Sequence, residues 1–339
     1  MGLQLFRKHI AEDAVLGKRF VSGVLELFNQ DRYSGRSESI NSELLTSCIR
    51  MFSHLGLYLG KFDKEFLQSS RLYWADVAQD ESANSSLKSY LATCARQMEL
   101  ERARCDKFHL AISTKRELMT VLEDEMLRKL VPLLTDKEQV TKLLRNSDFE
   151  SLQTLYQLLD LVGDPGGELK PAWESYICDE GSKIVQDQEK EAEMVPRLLD
   201  FKGILDAIWV GPLKKNTAIE YALRDSFSSF INQRKEGASM KDYSKPAEMV
   251  AKYVDMLLRQ GAKGLPPVAG AAIPEMTRDD DAALAYHLEL VLDLFRFIQG
   301  KDVFEAFYKK DLARRLLMGR SASVDAERLM LAKLKNGML

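Results

Sequence analysis

Proline is scarce in this 339-residue chain, with nine in all. Proline removes a backbone donor and breaks helix interiors. Its scarcity beside long Leu-rich periodic segments favours an all-α fold. Cysteine is scarcer still: Cys48, Cys94, Cys105 and Cys178, with no CxxC spacing. So few thiols in so long a chain exclude a disulfide framework and read as reduced, intracellular, small apolar core residues. The four histidines are His9, His54, His109 and His287. No two are spaced i,i+4 and HExxH is absent, which excludes a local helical zinc site. No apolar run reaches 18 residues and the N-terminus lacks a signal-peptide core. The expected location is the nucleus or the cytoplasm. Neither charge sign dominates: 48 Lys and Arg stand against 51 Asp and Glu, so composition gives no prior for nucleic acid or an acidic membrane surface.

Motifs of catalysis are missing as well. GAKG at 261–264 lacks the length, the flanking strand and the Lys-Ser/Thr ending of a phosphate loop, and no GxSxG occurs. No cysteine lies in an activating setting. The chain is therefore read as non-enzymatic, with no catalytic residue, no cofactor and no metal ligand assigned. The acidic run 279–281 is read as negative charge at a helix N-terminus.

What is present is helical periodicity. Apolar residues recur three and four apart over 18–30, 44–57, 62–74, 87–110 and 113–134, with Pro132 near the end of the last, where helices commonly stop. Tyr73 and Trp74 adjoin, and at least one is expected to anchor an inter-helix contact. Glu99, Glu101, Arg102 and Arg104 read as a solvated face with local ion pairs. A second helical group begins near Asp148 with the stripe Leu152, Leu155, Tyr156, Leu158 and Leu159. GDPGG at 163–167 is the strongest breaker in the first half, with the next helix expected over 172–185. Pro196 marks either a kink or a fresh start, and Pro246 the start of a helix. Residues 261–281, rich in Gly, Pro and Ala, read as a linker.

The stretch 300–335 organises the chain. Val303, Phe304, Phe307, Tyr308, Leu312, Leu316 and Leu317 recur at helical spacing. Lys309, Lys310, Arg314 and Arg315 interrupt them and read as a solvated face or, alternatively, as a patch for an acidic partner. Residues 301–339 hold nine Lys or Arg against five Asp or Glu. Gly319 ends the pattern, and Ser321 and Ser323 are candidate N-caps of a following helix.

KDVFEAFYKKDLARRLL followed by SASVDAERLMLAKLK resembles the motif that opens the globular C-terminal half of the cullins, the elongated scaffolds of multisubunit ubiquitin ligases. FRFIQGKDVFEAFYKKDLARRLL (295–317) and KPAEMVAKYVDMLLRQGAKG (245–264) carry the strongest likeness, and the fourth cullin subfamily is the most similar. The resemblance implies an elongated all-α stalk of stacked five-helix cullin repeats followed by the start of a helical bundle. Residues 1–15 (with LQLFRKHI) would be the last helix of a truncated first repeat. Residues 16–140 and 141–262 would be the second and third repeats, 263–281 an insertion, and 282–339 the opening of the C-terminal bundle.

In cullins the first repeat binds an adaptor, in the fourth subfamily a multi-propeller protein. The C-terminal half holds a RING protein that recruits the ubiquitin-conjugating enzyme. By resemblance, Leu3, Gln4, Phe6 and Arg7 would contribute to adaptor contact, though intra-repeat packing is an equal account of Leu3 and Phe6. One helix of the adaptor-binding repeat implies weakened adaptor binding. A chain ending after KLK implies that RING recruitment belongs to a full-length form. Neither nucleic acid nor membrane is an expected partner. The alternative is an unrelated α-helical repeat protein acting as an adaptor or tether.

Overall fold

Helical spacing becomes helix almost throughout. The structure is a computed structural model that describes residues 5, 7, 9, 13, 15–33, 42–233, 240–261 and 280–337. Among the described residues every regular element is helical. None of those helices is long and apolar enough to cross a membrane. The fold divides into two compact units, residues 1–135 with 154–165, and residues 136–153 with 166–339.

The first unit opens with α1 (Leu16–Tyr33) and α2 (Ser42–His54). A π-helical turn, Tyr58–Asp63, leads into α3 (Lys64–Asn84), followed by α4 (Leu87–Lys107) and α5 (Ile112–Leu122). Gly17, Val21, Val24, Phe28 and Arg32 form the buried stripe of α1. The spacing puts them on one face. Phe28 meets Phe66 edge-on at 4.8 Å and Phe108 at 5.5 Å, and Phe62 stacks on both Phe52 and Phe66. Trp74 is fully buried with Tyr73 edge-on at 4.9 Å, so the adjoining aromatics do anchor the unit. Cys94 and Cys105 are buried, while Cys48, here, and Cys178, in the second unit, are only half-buried.

Beyond α5 the helix widens into a π-helical turn, Glu123–Leu127, tightens into Arg128–Leu130, and resumes as α6 (Val131–Leu134). Pro132 thus lies in the first turn of α6, where its missing N–H has no helical partner to lose. It opens a short helix and does not close a long one.

In the second unit α7 (Lys137–Arg145) is capped by Asp136. Helix α8 (Phe149–Val162) contributes residues to both units. Helix α9 (Pro165–Gln186) starts seven residues before the expected point. The break falls at Gly163 and Asp164, and Pro165 occupies the first helical position. Gly166 belongs to that first turn, where a Cβ would fall 2.5 Å from the Asn216 side chain. Helix α10 (Met194–Val210) places Pro196 in its own first turn, a fresh start and not a kink. Helices α11 (Thr217–Ile231) and α12 (Met240–Gln260) follow. Pro246 lies inside α12 and not at its start. Residues 262–279 of the expected linker lie outside the described residues. The chain resumes with α13 (Asp280–Phe295), α14 (Lys301–Leu317) and α15 (Val324–Gly337).

Gly181 of α9 faces the core. A Cβ there would stand 2.5 Å from the buried Phe230 ring of α11. Overpacking of this kind costs about 1–3 kcal/mol, more than the roughly 1 kcal/mol that alanine gains over glycine within a helix. Gly181→Ala is therefore expected to lower the urea midpoint of the second unit. An unchanged or raised midpoint would contradict the close approach.

Candidate functional site

The side chains of 300–335 sort into two faces. Phe304 and Tyr308 are buried, their rings stacked at 5.7 Å, and Phe304 meets Phe295 of α13 at 4.3 Å. Val303, Phe307 and Leu312 are half-buried, whereas Leu316 and Leu317 stand exposed, Leu317 at 88 %. The apolar stripe is thus narrower than spacing implies. Its far end is completed by Arg315, not leucine.

Arg315 is 1 % exposed, so the solvated-face reading fails at this position. Its Nε donates to Glu327 Oε1 at 2.7 Å and its Nη2 to Glu327 Oε2 at 3.0 Å. Its Nη1 donates to Asp255 Oδ1 at 2.6 Å. One guanidinium therefore joins α14 to α15 through Glu327 and to α12 through Asp255. The planar fork matches a carboxylate with two parallel hydrogen bonds, which a lysine cannot reproduce. Burial by itself lowers the Arg315 pKa, but the bonds to Glu327 and Asp255 outweigh it and hold the cation above its ordinary range.

The surroundings complete the clamp. Ser321 donates its hydroxyl to Glu327 Oε1 at 3.0 Å, and Arg259 pairs with the other oxygen of Asp255. Ala322 N–H donates to the Leu258 carbonyl at 2.8 Å, tying the α14–α15 connection to the end of α12. Gly319 makes the turn at φ +60°, a conformation that favours glycine. Ser323 caps α15 by accepting from Ala326 N–H. Of the two candidate caps, Ser323 is the cap and Ser321 serves the ion cluster. Lys309 and Arg314 remain exposed and pair locally with Glu305 and Asp311, and Lys310 is exposed as well.

A second arginine plays the same part in the first unit. The Arg32 side chain is 1 % exposed and donates through Nε to Glu101 Oε1 at 3.0 Å and through Nη2 to Ser70 at 2.9 Å. Its guanidinium lies 4.8 Å from the Phe28 centroid, 4.9 Å from Tyr73 and 5.4 Å from Trp74. Arg104 holds the other Glu101 oxygen at 3.0 Å and reaches Asp31 at 3.0 Å. Glu101 and Arg104 are therefore buried and not part of a solvated face, while Glu99 and Arg102 are exposed. Each clamp brings residues far apart in sequence onto one guanidinium.

A third polar contact joins α12 to α13. Tyr253 Oη and His287 Nε2 are 2.8 Å apart and buried. Burial lowers the His287 pKa, with Asp200 opposing. The folded imidazole is thus less basic than the unfolded one, so the unfolded chain binds more protons once pH falls toward the unfolded pKa. Stability from this group is complete above about pH 6.5 and lost as pH falls below it. His287→Gln is expected to reduce the loss of unfolding free energy between pH 7 and pH 5. An unchanged pH slope would contradict the lowered His287 pKa.

Of the positions proposed for adaptor contact, Leu3, Gln4 and Phe6 lie outside the described residues. Arg7 is exposed, and its guanidinium would lie 3.5 Å from a Cβ on Gly56. Position 279 of the acidic run is also outside them, and Asp281 is exposed. Among the described residues no group of three potential metal ligands converges.

Comparison with known proteins bears on the whole chain. Residues 1–338 match the family model of the cullin alpha solenoid domain. The chain is 37 % identical over 336 residues to Cullin-4A from Homo sapiens, covering 99 % of this chain and 41 % of that protein. Identity is 33 % over 335 residues to Cullin-4 from Dictyostelium discoideum, 99 % and 38 % of the two chains. It is 29 % over 344 residues to Cullin-3A from Arabidopsis thaliana, 99 % and 43 %. The chain thus spans about two fifths of the length of these curated relatives. With the alpha-solenoid model matched from residue 1 to 338 and helices at every regular element described, the chain belongs to the cullin family.

Proposed function

We propose that the chain is the stalk and the entry to the C-terminal bundle of a cullin-RING ubiquitin ligase scaffold of the fourth-cullin type. The observation that carries this reading is the alpha-solenoid match across residues 1–338, joined to the greater identity with human Cullin-4A and Dictyostelium Cullin-4 than with Cullin-3A. Its role is non-catalytic. A substrate adaptor and a RING module with its ubiquitin-conjugating enzyme are held at a set separation, so the rate gain comes from proximity and not from side-chain chemistry in the stalk.

On this reading residues 1–15 close the first cullin repeat, 16–140 and 141–262 form the second and third, 263–281 is an insertion, and 282–339 begins the bundle. The adaptor is a multi-propeller protein that Leu3, Gln4, Phe6 and Arg7 help to contact. The RING protein and ubiquitin-conjugating enzyme belong to the longer scaffold. The site of action is the nucleus or the cytoplasm.

The test is a segment exchange. The matched region of human Cullin-4A is replaced by this chain, and the chimera is assembled with adaptor, RING protein and conjugating enzyme. RING-dependent ubiquitin transfer to an adaptor-bound substrate is the expected result. A folded chimera that binds both partners but transfers no ubiquitin would overturn the proposal, as would transfer that needs no RING protein.

A further inference from the structure

Arg315 raises a question of purpose. Removing an arginine and two carboxylates from water is costly, and buried ion pairs are often matched or exceeded in stability by apolar residues of similar volume. Stability alone is therefore a weak reason for this cluster. Direction is a better one. Apolar contacts tolerate sliding and rotation, whereas a fork satisfied by two oxygens of one carboxylate and one of another is complete at a single arrangement of three helices.

The geometry points to Arg315 as a positioning residue: it sets the direction in which α15 leaves α12 and α14, and so the direction in which the scaffold continues toward its RING-bearing end. The last clause rests on the proposed scaffold function; the orientation of α15 does not.

Three observations converge on this assignment. Among the described residues the guanidinium makes three hydrogen bonds, all to helices other than its own, two to α15 and one to α12. The connection between α14 and α15 is short and pinned at Ala322 to the Leu258 carbonyl. A Cβ on Gly261, just past α12, would lie 3.2 Å from the Ala322 Cβ, so the end of α12 and the connection also meet closely. Lys333 on α15 pairs with Glu289 on α13, but Lys333 is part-exposed, and such a pair constrains direction weakly. Ser321 fixes the Glu327 oxygen that Arg315 Nε uses. The buried fork is therefore the directional element.

The experiment measures orientation and stability separately. In the full chain, with Cys48 and Cys178 replaced by alanine, spin labels are placed at the exposed positions 252 on α12 and 328 on α15. Two variants are compared with the parent: the apolar triple Arg315→Met, Asp255→Leu, Glu327→Leu, and the single Arg315→Lys, which keeps charge but loses the fork. The triple is expected to melt within about 5 °C of the parent. Its inter-label distance distribution should nevertheless broaden about twofold, and Arg315→Lys should broaden it too.

Placed in the Cullin-4A chimera, both variants should bind adaptor and RING protein normally but slow ubiquitin transfer about tenfold. Narrow distributions in both variants, or broad ones with undiminished transfer, would overturn the proposal. Should the triple fail to fold, the width measured for Arg315→Lys decides alone. Should the unsubstituted chimera transfer no ubiquitin, the scaffold reading fails, while the label distances still decide whether Arg315 orients α15.

Discussion

Replacing Arg315 with methionine alone is expected to lower the unfolding free energy of the second unit by about 3–5 kcal/mol, the range for breaking a buried ion pair from one side. The loss comes from what remains. Glu327 is 3 % exposed and would keep only the Ser321 hydroxyl for its two oxygens. Asp255 would still be paired with Arg259, so it is the lesser orphan. Methionine restores apolar contact with Tyr308, whose ring lies 5.7 Å from the guanidinium, but it offers no donor to a buried carboxylate.

The apolar triple removes both carboxylates together with the cation. Among the described residues the charge it strands is Arg259, 45 % exposed and able to turn to water. The single variant should therefore be less stable than the triple, an inversion that simple loss of volume does not produce. Denaturant unfolding of the two, with hydrogen exchange on α14 and α15 to localise the loss, checks this. A single variant within about 1 kcal/mol of the parent would refute the buried-charge account.

Glu101→Leu should cost about 3 kcal/mol in the first unit, at the lower end of the same range. Here the stranded group is the Arg32 cation. It keeps Ser70, Asn29 and three aromatic faces within 5.4 Å. Desolvated cation–π contacts of this kind are worth about 2 kcal/mol or more and leave the stranded cation partly satisfied. Arg104 keeps Asp31 and adds little. Faster hydrogen exchange in α1 and α4 and a lower urea midpoint are the expected results. The conservative Glu101→Gln should lose less, because an amide oxygen still accepts from one guanidinium nitrogen. If leucine is tolerated with no change in midpoint, the Arg32 cluster carries no net stability.

Much of the helical plan is legible in residue spacing. Stripes such as Val21, Val24 and Phe28, or Phe304 and Tyr308, repeat at three and four residues, and a helix with one buried face is the plain consequence. Family membership was legible in the motifs at 245–264 and 295–335. Pro132 opens a helix where spacing suggests a stop, and Pro246 lies inside one where spacing suggests a start. The residue constrains φ and removes one N–H, effects that depend on its distance from the helix start, and that start is set by neighbouring turns. The early beginning of α9 has the same origin: after Pro165, glycine at 166 permits the approach of Asn216 and does not end a helix.

The charged core had a sequence signal. Arg315 falls in helical phase with Phe304 and Tyr308, and Arg32 with Val21, Val24 and Phe28. A charge in register with an apolar stripe marks a buried cation when a partner exists to receive it. The amino-acid sequence by itself determined the all-α class, most of the helices and the likeness to cullins, because those rest on local periodicity and contiguous motifs. Only the tertiary structure decided which charges are buried. That outcome turns on carboxylates 12, 60 and 69 positions away from their arginines, and whether a charge is desolvated depends on the residues that three-dimensional packing brings against it.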